Sequence, residues 1–161
     1  MAGRFVSTRD NTFFHKVNKE LLGDSFRSKD GIINQEVTIY QLDEKETPTD
    51  MYGESASGKS WKPGVTLKCI IEAEDFDFNT DEFGPDRGQT GTFSFLRDSV
   101  LESKIVISLG DVISWNYAYW TISSLNENQL VGGQANQNFS VVVTAYLTRL
   151  SSLGIENVRT I

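Results

Sequence analysis

Three groups of residues in this chain have the types and spacing of chemical sites: a glycine and lysine loop, an acidic run and an aromatic cluster. The first, Gly53-Glu54-Ser55-Ala56-Ser57-Gly58-Lys59-Ser60, is a literal match to the phosphate-binding pattern G-x-x-x-x-G-K-[ST]. Such a loop works only when a buried strand leads into it and a helix follows directly, because backbone N–H groups and the helix N-terminus together hold the phosphate charge. Here Thr47-Pro48-Thr49-Asp50-Met51-Tyr52 leads in without an apolar β-branched run, and Trp61-Lys62-Pro63-Gly64 would stop a helix within its first turn. The segment Gly53–Ser60 therefore reads as a flexible loop. Neither a nucleotide nor any other cofactor is expected.

The acidic run gathers Glu72, Glu74, Asp75, Asp77, Asp81, Glu82 and Asp86, with Phe76, Phe78 and Phe83 interleaved. Asp75, Asp77, Asn79 and Asp81 have the spacing that opens an EF-hand calcium loop, and Asp86 falls where the bidentate acid belongs. Thr80 stands where the sharp-turn glycine is required, and no flanking helices are indicated, so an acidic strand and turn is expected and no metal site. The aromatic cluster Trp115, Tyr117, Tyr119 and Trp120 has the composition of a stacking platform for sugars or bases. Cross-strand aromatic pairing within a hairpin accounts for it more simply.

The remaining reactive side chains are isolated. Cys69 is the only cysteine, which rules out an intrachain disulfide and falls short of a structural zinc ligand set; its place in an apolar strand pattern makes it a core filler. His15, the only histidine, lies off the apolar stripe of its helix beside Lys16 and Lys19, and reads as a solvated surface group.

The elements that must position these groups are mostly strands. Asp10 or Asn11 can cap a helix over residues 10–22, with Phe14, Val17 and Leu21 at helical spacing and Gly23 as its stop. Strands are predicted over 36–42, 65–72 (with Val65, Leu67, Cys69 and Ile71 on one face) and 90–97. An extended segment at 101–109 and a hairpin of 112–115 and 119–122 about Asn116 and Tyr117 follow. A turn at Gly132-Gly133 then precedes a strand from Phe139 to Leu147, whose Val141-Val142-Val143 run suggests full burial. Between strands, residues 43–64 form a long polar arm in which Tyr52 and Trp61 are apolar enough to dock on a partner or on the domain itself. One domain is expected over 1–161: helix, β-region 36–149 and a C-terminal arm 150–161. Its fold class is mainly β, a small antiparallel barrel or sandwich with an N-terminal helix.

The totals narrow the function classes. A chain of 161 residues buries roughly two thirds of its unfolded surface and needs no staples. With 15 basic and 22 acidic residues, a net charge of -7 opposes tight binding to a phosphate backbone. No stretch approaches the roughly 20 apolar residues of a membrane span, and residues 1–9 do not read as a signal peptide.

Six strings carry a family resemblance. Phe13-Phe14-His15-Lys16-Val17-Asn18-Lys19-Glu20-Leu21-Leu22, Met51-Tyr52-Gly53-Glu54 and Asn79-Thr80-Asp81-Glu82-Phe83-Gly84-Pro85-Asp86 occur in this order. Gly110-Asp111-Val112-Ile113-Ser114-Trp115-Asn116, Asn126-Glu127-Asn128-Gln129-Leu130 and Thr144-Ala145-Tyr146-Leu147-Thr148-Arg149 follow. Together they resemble the neck or head-completion proteins of contractile-tailed bacteriophages. That resemblance implies a non-enzymatic virion protein at the head–tail junction, assembled in the host cytoplasm as a homo-oligomeric ring, for example a hexamer. It implies portal or adaptor proteins and tail proteins as partners, and DNA passing through without sequence-specific binding. A tail-completion or baseplate position in the same virion, and a carbohydrate-binding β-sandwich, are the alternatives. Glu72, Glu74, Asp75, Asp77, Asp81 and Glu82 are candidates for the channel lining or for a face toward the next subunit.

Overall fold

Every second residue of six strands is apolar, and a sheet with that pattern buries one face by curling around it. The computed structural model describes residues 7–24, 29–47, 59–75, 77–81, 84–127 and 138–148. In chain order the elements are α1 (Thr8–Leu22), β1 (Gly23–Asp24), β2 (Lys29–Asp30), β3 (Glu36–Tyr40), β4 (Val65–Ala73), β5 (Asp77–Asp81) and β6 (Gly84–Gly88). They continue with β7 (Thr90–Leu96), α2 (Arg97–Glu102), β8 (Val112–Trp115), β9 (Ala118–Asn126) and β10 (Ser140–Thr148). Six of the strands close an antiparallel barrel in the order β10-β7-β4-β3-β8-β9, β9 returning to β10. Of the two expected architectures, barrel or sandwich, the barrel forms.

Its interior is filled by alternate residues: Val37 and Ile39, Leu67 and Cys69, Phe93 and Phe95, Ile113, Trp120 and Ile122, then Val141, Val143 and Ala145. Closure needs local curvature, and β9 supplies it through a bulge. Thr144 pairs with Ser124 and Ala145 with Ile122, so Ser123 is the extra residue, its hydroxyl donating to Thr144 O at 3.1 Å. The largest interior side chain, Trp120, is accommodated by a glycine beside its ring. A Cβ on Gly91 would come within 3.2 Å of the Trp120 ring.

α1 lies against the outside of the barrel. It starts three residues before the expected Asp10, because the Ser7 hydroxyl accepts from Asp10 N at 3.2 Å and caps the helix. Gly23, at φ 87°, ends it. Leu21 and Leu22 face the outer surface of β4 and β7 across a cleft of about 200 Å³ shared with Ile70, Ser94 and Leu96. The expected stripe is buried only at this C-terminal end: Phe14 is 48% and Val17 40% exposed. Just past β2, Gly31 returns so close to the Leu22 and Gly23 backbone that any Cβ would collide with it.

Two expectations are corrected. Residues 101–109 are not extended throughout: the chain leaves β7 into α2, which runs to Glu102 and buries Ser99 and Val100, then turns and crosses as an irregular segment. Beyond α2, Ile105 and Ile107 are buried and Val106 is 72% exposed, but the barrel is already closed and offers this stretch no edge to pair with. β10 is not buried on both faces either. Val141, Val143 and Ala145 point inward while Tyr146 is 49% exposed, because a barrel wall has only one dry side.

Burial raises the Cys69 thiol pKa to about 12. The thiol is therefore expected to resist aromatic disulfide reagents at pH 8 in the folded protein and to react at once in denaturant; rapid native labelling would contradict its place in the core. Gly31→Ala is expected to cost about 1–3 kcal/mol by overpacking the α1 exit, read from the midpoint of urea unfolding.

Candidate functional site

β4 and β7 form one hairpin that runs beyond the barrel. Their pairing continues past Ala73↔Gly91 through Glu74 N to Thr90 O at 2.9 Å, slips by one residue, and resumes as β5 and β6 from Asp77↔Gly88 to Asp81↔Gly84. Five further pairs at about 3.4 Å per residue make a projection of roughly 17 Å. Its root is tied by Gln89, whose side chain donates to Glu74 O at 2.7 Å and whose carbonyl accepts from Leu147 N at 2.9 Å. Glu72, Glu74 and Asp75 are exposed at this root, Asp77 and Asp81 lie on β5, and Glu82 falls outside the described residues.

Residues 72–88 hold seven carboxylates against Arg87 alone, whereas the rest of the chain is nearly balanced, so one projection carries most of the net charge of -7. The paired strands Asp77–Asp81 and Gly84–Gly88 also replace the helix-flanked coil that an EF-hand requires. Among the described residues no group of three His, Cys, Asp or Glu side chains is placed to hold a metal ion.

The opposite end of the barrel has the converse chemistry. β7 runs from Thr90 at the projection to Leu96, where α2 begins and where Phe139, just before β10, hydrogen-bonds Arg97 N at 3.0 Å. α1 is fastened here. His15 Nδ1 lies 2.6 Å from Asp98 Oδ2, its ring meets Phe139 edge-on at 4.8 Å, and Lys19 Nζ donates to Glu102 at 2.8 Å. The bond to Glu102 raises the Lys19 pKa. His15 is thus half-buried and tethered rather than solvated, by a partner 83 positions away that helix periodicity could not indicate. Around these contacts Phe13, Phe14, Val17, Leu101, Val106 and Leu109 are all at least 40% exposed.

The ends of the polar arm are strapped to this same end. Asp43 N bonds Ser60 O, Leu42 bridges Trp61, and Lys62 N bonds Gln41 O, so the pairing of β3 extends outward with Trp61 half-buried in it. Asp111, 3% exposed, holds the strap: its Oδ1 accepts from Leu42 N at 3.1 Å and its Oδ2 from Ser108 N at 2.8 Å. Burial raises its pKa against the pull of those two N–H groups. Sequence reading passed over Asp111; a lone acid between Gly110 and the apolar Val112-Ile113 was the available signal. Tyr52 and Gly53–Gly58 lie outside the described residues. Residues 59–64 carry no helix, so no helix N-terminus directly follows Lys59 and Ser60.

The aromatic cluster turns inward. Trp120 is 2% exposed and packs with Phe93 at 5.8 Å and with Trp115 at 6.0 Å, which makes it core and not a ligand platform. Tyr117 alone stands out, 91% exposed in a two-residue turn where Asn116 and Tyr117 have φ of 49° and 61°. These are the angles of a type I′ turn, which favours Asn-Gly.

No family model matches the sequence, and no curated protein matches it. The fold is similar to that of a chain in the virion of a native gene transfer agent particle, with a TM-score of 0.52 and 9% sequence identity. The alignment covers 71% of this chain and 94% of that one. The class defined by the fold is a closed six-stranded antiparallel barrel with an external helix, an acidic hairpin projecting from one end and exposed apolar side chains among ion pairs at the other. Among the described residues no helix is long and apolar enough to cross a membrane.

Asp111→Ala removes the acceptor of the part-buried Leu42 and Ser108 N–H groups and is expected to lower stability by about 1–3 kcal/mol. Because its folded pKa is raised, Asp111 favours the folded state most when protonated, and that advantage is lost as pH rises through the elevated value. Relative to Asp111→Asn, the wild type should therefore gain stability as pH falls toward about 4, as compared in urea titrations. Tyr117→Gly is expected to add about 1 kcal/mol by relieving the left-handed tyrosine.

Proposed function

We propose that this chain is a non-enzymatic structural subunit of a phage-like virion, located at the neck and forming a ring between the portal end of the head and the tail. The observation that carries this reading is the likeness of its barrel to a chain in a gene transfer agent virion, over nearly the whole of that chain. The order of the six strings that resemble neck proteins of contractile-tailed phages favours the same position. In this reading its partners are further copies of itself, portal or adaptor proteins above and tail proteins below, and it acts in the virion after assembly in the host cytoplasm.

The charge distribution suits such a ring. DNA must pass a connector without adhering, and cations along its path would gain affinity by releasing counterions from the phosphates. The net charge of -7 is unfavourable to such contacts. The barrel also suits repeated use as a building block, since a closed sheet exposes no lateral strand edge on which subunits could pair out of register.

The test is to fractionate an infected-cell lysate on a density gradient and count copies of this chain per DNA-filled particle by quantitative mass spectrometry. A count matching one ring per particle is expected. Absence from particles would overturn the reading.

A further inference from the structure

The projection and the helix end lie at opposite ends of β7, about 20 Å apart at strand spacing, so the two surfaces face different directions from one barrel. On α1, Arg9, Phe13, Lys16 and Val17 follow at intervals of four, three and one, which places them along one stripe of the helix. Phe13 is 62% and Val17 40% exposed, and the Lys16 side chain is 75% exposed. The helix carries Arg9, Lys16 and Lys19 against Asp10 and Glu20, with Lys16 4.0 Å from Glu20 and Lys19 held by Glu102. Uncovered aromatic and aliphatic groups flanked by cations need a cover that brings both apolar atoms and carboxylates. The acidic hairpin, with Phe78 on β5 among its acids, has that composition.

We propose that the β5–β6 projection of one copy docks on the α1 stripe of a second copy, so that the subunits join head to tail. The contact is heterologous: each copy offers its hairpin to one neighbour and its helix to the other, which closes into a ring when the rotation per subunit allows and otherwise extends. This deepens the virion reading by naming the surfaces through which copies meet, and it is tested on the purified chain so that its failure is separable from absence from particles.

Two variants decide it. Asp75→Lys with Asp77→Lys disables the hairpin and leaves the helix stripe intact, and Arg9→Glu with Lys16→Glu does the reverse. Sedimentation velocity of the wild type should show concentration-dependent assemblies beyond a dimer, weakened by salt. Each variant alone should be monomeric at the concentration where the wild type assembles, and an equimolar mixture should give 1:1 dimers that grow no further, since only one complementary pair of surfaces remains. Retained circular dichroism and unfolding midpoints establish that both variants fold; if either does not, Asp75→Asn with Asp77→Asn and Lys16→Gln replace them, each expected to weaken assembly at least tenfold. A wild type that stays monomeric up to about 1 mM, variants that assemble normally, or a mixture that remains monomeric would each overturn the proposal.

Discussion

Closure of the barrel is the constraint on which the rest of the molecule depends. Once β9 has returned to β10, every interior strand has two neighbours and the sheet has no edge to offer. The interior is dry and filled by side chains from alternate positions, so the walls are committed to packing. What remains for other molecules is the two ends, the outer faces of the walls, the layer formed by α1 and the segments that leave the barrel.

The packing shows how narrow that commitment is. Trp120 fits because Gly91 has no side chain where its ring lies, and the curvature that brings β9 and β10 together depends on the extra residue Ser123. Cys69 and the tryptophans, which as residue types invite chemical roles, are consumed in filling this volume. The polar groups that matter structurally are those that tie appendages down: Asp111 on the strap of the polar arm, His15 and Lys19 on α2, and Gln89 at the root of the hairpin.

The result is a polar object. At one end a hairpin with most of the chain's net negative charge leaves the barrel, and at the other a helical layer presents exposed apolar residues among paired and unpaired cations. Such asymmetry suits a component that repeats in one direction better than one that meets itself across a two-fold axis, because an isologous contact would place like surfaces together. This is the physical link between the fold and a proposed place in a virion ring.

The amino-acid sequence by itself determined the six barrel strands, the single long helix and the barrel-or-sandwich class, because period-two and period-3.6 patterns are local and survive without knowledge of neighbours. It also determined that Gly53–Ser60 lacks the flanking residues of a phosphate loop, since that requirement is written in adjacent positions. Only the tertiary structure decided that the sheet closes, that residues 101–109 are therefore left without a strand partner, and that β10 has one wet face. It alone paired His15 with Asp98 and Asp111 with Leu42, across 83 and 69 positions. Those contacts depend on which surfaces closure brings together, and no local pattern encodes distances between residues so far apart along the chain.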